Sequence, residues 1–229
     1  MNYHRDSDYL ANETLFRNIF RKRFNLITKH LGGGCVLEIG CSNGVFSDLF
    51  KEAGFETWGI EPSNSAQEAK QKGHKIINGT FEKADLPINY FNLVIMNHVL
   101  EHMDNPAMVL RKVFSLLKRD GLLFVDVPNA GSLGAKFLGK YWPYRLPEEH
   151  KHQFTQANLS NLLWVASFKI IYWESRSGLF EYANPWLELW QSLIGLKKRF
   201  LFDLCTLPYA LCVTILGMGD SMTFLARKK

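Results

Sequence analysis

The sequence predicts an α/β fold in which a doubly wound, mostly parallel seven-stranded sheet carries one helical insert. Two observations support this prediction. Short apolar runs alternate with helical segments over residues 35–128, which is the pattern of parallel strands joined by crossover helices. The 229 residues are 47% hydrophobic and 21% charged, a composition that suits one core of this size. Right-handed crossovers would then cover both faces of the sheet and leave the carboxyl ends of the strands open to ligands.

The predicted elements follow the chain in order. Residues 12–30 form an amphipathic lead-in helix, ended by the glycines at 32–34, because apolar side chains recur there at helical spacing. These side chains are Leu15, Phe16, Ile19, Phe20, Phe24, Ile27 and Leu31. Five strands come next, CVLEIG, FETWGI, HKIING, FNLVIMN and GLLFVDV, with helices between them at 45–53, 65–72 and 106–118. A helix at 155–167 precedes a sixth strand, FKIIYWES, and the last strand is DSMTFLARKK.

The chain is predicted to form a single domain, residues 1–229, because it holds no repeat and no low-complexity linker. Its parts are an N-terminal helix (1–31), a cofactor-binding core (32–128), a cover loop (129–154) and a helical cap insert (180–217). The cover loop is assigned from its irregular sequence, which is rich in Gly, Pro and aromatic residues.

The 180–217 insert interrupts the α/β alternation. One helical face is predicted from Trp186, Leu189, Trp190, Leu193, Leu196 and Phe200, beside the basic residues 197–199. An uncharged run at 204–217 follows, shorter than the roughly 20 residues that a membrane span needs. Three roles stay open for the insert: a cap packed over the sheet, a contact with a membrane surface, or a contact with a second subunit.

Charge and cysteine content limit the partners and the compartment. The net charge of +5 comes from short basic clusters at 21–23, 197–199 and 227–229. No long basic stripe with interleaved aromatic residues is present, so no nucleic-acid partner is expected. The four cysteines form no C-x-x-C pair, and the polar start of the chain has no signal-peptide core. We therefore expect a cytoplasmic protein with reduced thiols, and a peripheral membrane contact stays open.

The loop EIGCSNGVF, residues 38–46, has three interpretations. A hydrolase nucleophile elbow would use Ser42, followed by Asp126 and His150 in chain order. The glycine run at 32–34 abuts the same strand, however, so it cannot supply the separate oxyanion loop. A nicotinamide-binding loop would need glycine at 40, 42 and 45, of which only Gly40 is present.

The third interpretation is a loop that holds a nucleoside cofactor. Gly40 and Gly44 would let the backbone approach a ligand closely. Glu61 ends the second strand, where a carboxylate can accept both hydroxyls of a ribose. Glu38 lies on the first strand and needs a donor when buried, so a cationic ligand group would suit it.

With these residues the chain resembles the class I S-adenosylmethionine-dependent methyltransferases, in the small-molecule branch that includes the quinone-biosynthesis O-methyltransferases. VLEIGCSNGVF matches the first family motif, E/D-x-G-x-G-x-G, in three of four positions, with Ser42 as the departure. WGIEPS is similar to the second motif. GTFEKADLPINYFNLVIMNHVLEHMDNP, GLLFVDVPN and EEHKHQFTQANLSNLL resemble later segments, and the likeness covers about residues 30–175. It implies a Rossmann-like methyltransferase fold with an antiparallel last strand, and S-adenosyl-L-methionine as cofactor.

The resemblance also implies roles for single residues. Glu61 would take the ribose hydroxyls, Phe81 and Glu82 would flank the adenine, and Asn97 and His98 would lie near the methionine end. The full set of expected cofactor-binding residues is Glu38, Gly40, Cys41, Gly44, Glu61, Pro62, Phe81, Glu82, Asn97 and His98.

The expected reaction is transfer of a methyl group to a hydroxyl by in-line displacement, with a histidine as general base. His150, in the family segment H-x-x-H/Q-F, is the first candidate for the base, and His102 is the second. No metal is expected, because His98 stands where the quinone-type relatives carry Glu.

The acceptor is expected to be a small or lipid-linked molecule. Its pocket would be lined by the aromatic residues of 137–147 and by the Trp-rich insert, and Arg145 could pair with an acidic group. No N-P-P-Y follows the fourth strand, which disfavours amino methylation of nucleic-acid bases or of protein glutamine. Two alternatives stay open: an interaction protein that binds the cofactor poorly, and a methyltransferase acting on nucleic acid or protein. The sequence does not indicate an oligomeric state.

Overall fold

A computed structural model of the chain describes residues 13–194 and 199–229. The polar start of the chain and the basic pair Lys197-Lys198 lie outside the described residues, as does Leu196 of the predicted helical face. The sheet has seven strands in the order β3-β2-β1-β4-β5-β7-β6. Their bounds are Cys35–Ile39 (β1), Glu56–Glu61 (β2), Lys75–Asn78 (β3), Phe91–Asn97 (β4), Leu117–Pro128 (β5), Phe168–Arg176 (β6) and Ser221–Lys228 (β7).

The strand directions confirm the fold predicted from the sequence. Strands β1 to β5 pair in parallel. Strand β7 runs antiparallel to both of its neighbours, β5 and β6. The strand order reverses between β1 and β4, and in doubly wound sheets a ligand crevice opens at such a switch point.

Eight helices are described, and those predicted from the sequence begin and end within two residues of the prediction. They are Glu13–Thr28 (α1), Val45–Glu52 (α2), Ala66–Gln71 (α3), Pro106–Leu116 (α4), Leu133–Leu138 (α5), Gln156–Val165 (α6), Pro185–Ile194 (α7) and Arg199–Ile215 (α8). Hydrogen bonds to capping side chains fix where some of these helices begin. The Asn105 side chain accepts a hydrogen bond from the Met108 amide (3.1 Å) just before Pro106, and Thr155 with Asn158 forms a capping box.

Both faces of the sheet are covered by helices. On one face α4 and α6 pack with buried leucine and valine side chains against the strands. On the other face α1 and α2 pack through aromatic rings. The Phe20 ring stacks on Phe46 at 4.7 Å between centroids, and Phe46 meets the edge of Phe124 of β5 at 6.1 Å. Helices α7 and α8 form the insert between β6 and β7. Within the described residues, no helix combines the length and the apolar character needed to cross a membrane.

A cluster of buried charges lies at the carboxyl end of β5. Asp126 is fully buried, and its carboxylate accepts hydrogen bonds from Arg23 of α1 (2.7 Å to Nε) and from Arg176 of β6. The hydroxyls of Ser221 and Thr223 on β7 each donate to it at 3.0 Å. Burial acts to raise the pKa of Asp126, but the charges of Arg176 and Arg23 hold it well below its ordinary value. The cluster therefore joins α1 to three strands through one ionised carboxylate.

We predict that Asp126→Asn destabilises the fold strongly. The substitution leaves two guanidinium groups without their shared counter-charge, and breaking a buried ion pair costs about 3–5 kcal/mol. Urea denaturation measures the free energy of unfolding. The matched control is Asp104→Asn, which removes an exposed carboxylate that pairs with Lys151 at 2.6 Å, and which we expect to change nothing measurable. Equal stability of the two variants would contradict the role of the cluster.

Candidate active site

A cavity of about 730 Å³ opens at the carboxyl ends of β1, β2 and β4. Nine of the residues singled out from the sequence line it: Gly40, Glu61, Pro62, Phe81, Glu82, Asn97, His98, His102 and His150. A small cavity of about 20 Å³ adjoins it and shares Gly40, Ser42 and Asn97 with it. Glu38 and Cys41 line the small cavity, together with Phe20 of α1. All of the expected cofactor residues and bases except Gly44 thus line one or both of these adjoining cavities.

The loop after β1 needs three residues in the left-handed region of backbone conformation. Gly40, Ser42 and Gly44 have φ values of 74°, 44° and 83°. A Cβ at Gly40 would lie 2.6 Å from the Val99 side chain, so both backbone angle and space require glycine there. The Ser42 amide donates to the Glu61 carboxylate at 2.9 Å, which fixes this non-glycine residue in its unusual conformation.

Gly44 and Cys41 contribute through the backbone and packing. Gly44 precedes α2, and a Cβ there would lie 2.9 Å from the ring of His74. The Cys41 sulfur is turned towards the sheet, where a Cβ built on Gly59 would lie 2.5 Å from it. Burial raises the pKa of the Cys41 thiol well above its ordinary value. The thiol is therefore a packed, unreactive group.

Glu61 is held by two backbone amides. One carboxylate oxygen accepts from the Ser42 amide and the other from the Ser63 amide, both at 2.9 Å. The side chain is buried at the wall of the large cavity. Since each carboxylate oxygen has two lone-pair sites, the group keeps acceptor capacity for the two hydroxyls of a ribose.

The small cavity holds buried polar groups that suit the amino acid end of the cofactor. Glu38 accepts a hydrogen bond from the Ser47 hydroxyl (2.5 Å), and burial raises its pKa to about 8. Three buried polar atoms have no hydrogen-bond partner within the described part of the chain. They are the side-chain nitrogen and oxygen of Asn43 and the side-chain oxygen of Asn97. Buried polar atoms usually have partners, so these side chains fit the ammonium and carboxylate of a bound methionine moiety. The sequence did not identify Asn43 as a cofactor-binding residue, although Asn43 lies in the loop at residues 38–46.

The far end of the large cavity offers an apolar wall. The Phe81 ring is buried there, and the Lys112 ammonium lies 4.8 Å from its centroid. Lys112 also donates to the carbonyls of Phe81 (2.7 Å) and Ala84 (2.8 Å), which fixes the segment that carries the ring. Glu82 and Pro62 line the cavity beside it. This arrangement suits a flat heterocycle such as adenine.

Two histidines meet at the opposite side of the large cavity. The rings of His102 and His150 are 4.9 Å apart between centroids. His150 Nδ1 donates to the Tyr144 carbonyl (2.8 Å), and His102 Nδ1 donates to the Glu149 carbonyl (2.9 Å). Because carbonyl oxygens only accept, each ring keeps the lone pair on Nε2 when neutral. Burial lowers the pKa of His150, which favours this neutral form.

Glu101 completes a cluster that sequence reasoning missed. Its side chain is 1% exposed, and in the described residues neither carboxylate oxygen has a hydrogen-bond partner. His98 Nδ1 lies 3.4 Å from one of these oxygens. Glu101, His102 and His150 each offer one possible ligand atom for a metal, and these three atoms lie within 4.8 Å of one another. Two imidazoles and a carboxylate are ligands suited to a divalent transition metal, so the expectation of no metal stays a prediction that experiment must test.

The hydrolase arrangement is not formed. The Asp126 carboxylate is engaged by Arg23 and Arg176, and His150 Nδ1 is held by the Tyr144 carbonyl. Asp126 therefore does not orient His150 as a triad requires.

Comparison with known proteins agrees with this geometry. A protein-family model described as a methyltransferase domain matches residues 11–172. The chain is 35% identical over 147 residues to a protein of Haemophilus ducreyi named ubiquinone biosynthesis O-methyltransferase, covering 53% of this chain and 61% of that protein. The chain thus spans less than two thirds of that relative's length.

Two solved structures share the fold at low identity. One is described as a SAM-dependent methyltransferase, possible histamine N-methyltransferase, from Thermotoga maritima. Its TM-score is 0.64 at 20% identity, with 97% of this chain and 95% of that one covered. The other is an S-adenosylmethionine-dependent methyltransferase from Mesorhizobium loti, with a TM-score of 0.62 at 16% identity and coverage of 90% and 98%.

We predict that Gly40→Val abolishes binding of S-adenosylhomocysteine, whereas Ser42→Ala keeps it. Valine at 40 would be strained at a φ of 74° and would overlap the Val99 side chain. Alanine at 42 keeps the amide that donates to Glu61. Isothermal titration calorimetry measures both affinities, and Ser42→Ala should stay within about threefold of the unaltered chain. The unaltered chain must itself bind at sub-millimolar concentration, and its failure would favour the interaction-protein alternative.

We also predict that cofactor binding releases a proton from Glu38 at neutral pH. With a pKa of about 8, the carboxyl is mostly protonated in the free protein at pH 7, and an ammonium bound beside it would ionise it. Affinity should therefore rise with pH below 8 and level off above it. Calorimetry in buffers of different ionisation enthalpy counts the protons, with Glu38→Gln as control. Proton release that persists in this variant would assign it to another group.

Proposed function

The chain belongs to the methyltransferase domain family, and we propose that it transfers a methyl group from S-adenosyl-L-methionine to a hydroxyl oxygen of a small or lipid-linked acceptor. One observation carries the proposal: the cofactor cradle at Gly40 and Glu61 and the neutral imidazole of His150 line the same cavity. A cofactor and an acceptor in that cavity would each have partners within it. The relative named ubiquinone biosynthesis O-methyltransferase supports oxygen as the methylated atom.

In the proposed reaction the chain mainly aligns two molecules. When bound, S-adenosyl-L-methionine supplies an electrophilic methyl group whose sulfur leaves as a neutral thioether. Glu61 and the loop at Gly40 would fix the cofactor, so that the acceptor oxygen and the methyl carbon meet in line. His150 Nε2 would take the hydroxyl proton as the new oxygen–carbon bond forms. The Tyr144 carbonyl holds the ring in the tautomer that this step needs.

The surroundings of the histidines support an apolar acceptor with a polar end. Val99, Met103 and Leu146 line this side of the cavity. The aromatic residues predicted at 137–147, Arg145 and the described part of the insert do not line it, so the prediction of that lining was wrong. The ion pair of Lys151 with Asp104 (2.6 Å) lines the same side and gives it a polar end. A phenol or catechol with an apolar tail satisfies both features.

A metal-assisted role for the same cluster is the second candidate, because Glu101 is buried without a hydrogen-bond partner among the described residues. Glu101, His102 and His150 would then hold a divalent ion that lowers the pKa of the acceptor hydroxyl. In that case His150 would be a ligand and could not accept the proton.

We predict that His150→Ala lowers turnover by about 10²–10⁴-fold, the usual contribution of a general base, without weakening S-adenosylhomocysteine binding. The acceptor is found first by mass spectrometry of phenols and of a lipid extract incubated with methyl-labelled cofactor. Turnover of the unaltered chain should rise with pH and reach its plateau with a midpoint below 6.5, because burial lowers the pKa of His150. His152→Ala is the matched control, since that ring stacks on Phe154 and lies outside the cavity lining.

Three outcomes separate the roles of His150. Unchanged turnover in His150→Ala rejects it as the base. Loss of turnover on treatment with a chelator, restored by Zn²⁺ or Mn²⁺ and paralleled by Glu101→Gln, assigns the cluster to a metal. A chelator-resistant enzyme that loses the acid limb of its pH profile in His150→Ala supports the base.

A further inference from the structure

Helix α7 of the insert buries polar side chains and exposes apolar ones, the opposite of the usual arrangement. The side chains it buries are Glu188 and Ser192, one turn apart. Those it exposes are apolar except for Gln191: Trp186, Leu187, Trp190, Leu193 and Ile194. A helix that faces water turns its apolar stripe to the core and its polar residues outwards. The outer side of α7 is therefore suited to an apolar environment.

Polar contacts to α1 fix this orientation. The Asn18 side chain donates to the Glu188 carboxylate at 3.1 Å, and the Asn18 carbonyl accepts from the Ala183 amide at 3.3 Å. Just before α7, Glu181 accepts hydrogen bonds from Arg23 (3.1 Å) and Arg176 (2.8 Å) of the buried charge cluster. The apolar side chains thus point outwards because the polar side of the segment is anchored inwards.

Helix α8 and the cover extend the same surface. Helix α8 buries Ala210 and Val213 and exposes Leu201, Phe202, Leu204, Leu211 and Ile215, and Leu216 just beyond it is exposed as well. The backbone amide of Leu133, the first residue of α5 in the cover, donates to the Met218 carbonyl just beyond α8 at 3.0 Å. Helix α5 also exposes Phe137 and Leu138. We call the exposed apolar side chains of α5, α7 and α8 the apolar face. Single exposed leucines are common on proteins, but this many large apolar side chains exposed on three neighbouring helices mark an interaction surface.

The charges around the apolar face indicate an anionic partner. Between residues 182 and 219 the only acidic residues are Glu188 and Asp203. Glu188 is turned inwards and Asp203 is half-buried. Lys136 and Lys140 are exposed on the cover side, and the sequence supplies three further basic residues at 197–199. Apolar side chains with tryptophans, bordered by cations, match the headgroup region of an anionic bilayer.

The geometry favours docking on a bilayer surface over two other arrangements. Helix α8 has 17 residues and is about 26 Å long at 1.5 Å per residue, which is shorter than a bilayer core. A second copy docked on the same face through a two-fold axis would place Lys136 and Lys140 of both copies at one interface, and like charges there repel.

We propose that the apolar face docks on the surface of an anionic lipid bilayer, with α7 and α8 lying along the interface. This docking is independent of methyl transfer, so its failure would leave the proposed function standing. It also deepens that function, because the cover that contributes to the apolar face carries the Tyr144 carbonyl to which His150 is bound. A lipid-linked acceptor would then reach the cavity from the membrane side.

Vesicle flotation of the full chain tests the proposal. Binding is expected to vesicles of phosphatidylcholine mixed with phosphatidylglycerol, and to be weaker with phosphatidylcholine alone. The double substitution Trp186→Ser and Trp190→Ser should weaken binding by at least about tenfold, given the apolar area that each ring would bury in the interface. The matched control is Trp164→Ser on α6, since Trp164 is 66% exposed and Trp186 is 64% exposed. Equal binding by both variants would overturn the proposal.

The natural thiols give a second measurement that needs no substitution in the helices. Cys205 and Cys212 are exposed on α8, whereas Cys35 and Cys41 are buried. A polarity-sensitive maleimide on the α8 thiols should shift its emission to the blue when anionic vesicles are added. If the emission does not change and the protein does not float with the vesicles, the proposal fails. If light scattering then shows a dimer that the double tryptophan variant dissociates, the face belongs to a second copy.

Discussion

The rest of the structure depends on the ionised carboxylate of Asp126, which two arginines from distant parts of the chain approach. Bringing Arg23, Asp126 and Arg176 out of water is costly unless their charges and hydrogen bonds are mutually satisfied. Here the hydroxyls of two β7 residues donate to the Asp126 carboxylate, and the Glu181 carboxylate accepts a hydrogen bond from Arg23. The carbonyl of the same aspartate accepts from the His98 amide at 2.8 Å. The charge cluster therefore lies directly behind the edge of the sheet where the cavity opens.

Helix α1 connects this cluster to both ligand regions. Arg23 pairs with Asp126, and Phe20, one turn earlier on the same face, lines the small cavity beside Glu38. Asn18 binds the inward side of α7 through Glu188. A single helix before the sheet thus closes the expected methionine end of the cofactor site and orients the insert. Packing and charge on α1 act together, because displacing the helix would expose Phe46 and leave Asp126 with one arginine.

The features that sequence could predict are those set by local chemistry. Gly40 is expected at the turn after the first strand, and its φ is left-handed in the structure. Glu61 is expected to bind a ribose because it ends the second strand, and the structure also places it at that strand end. The parallel direction of the first five strands follows from the alternation of strands and helices, whereas the antiparallel last strand is implied by the family resemblance. Glu101 could not be assigned, because the side on which it lies depends on a short 3-10 turn at Leu100–His102 and on a cover segment far along the chain. Helical spacing identified an apolar face on the insert, but a period of 3.6 residues does not reveal whether that face meets the core or the solvent. The buried contacts of Glu188 decide it.

The cover and the insert share one acceptor, which links the shape of the cavity to the apolar face. Asp220, just before β7, accepts hydrogen bonds from Ser132 (2.8 Å), Trp142 (2.9 Å) and Ser177 (2.8 Å). The first two belong to the cover and the third precedes the insert, and the Tyr209 hydroxyl of α8 donates to the same carboxylate at 3.4 Å. The Trp142 ring lies 5.6 Å from the ring of Tyr144, whose carbonyl holds His150. A movement of the insert relative to the sheet would therefore be transmitted through Asp220 to the segment that orients His150. Because Glu181, just before α7, is bound to Arg23 and Arg176 at the same time, the ion pairs that stabilise the sheet also restrain the insert whose movement would reach the cover.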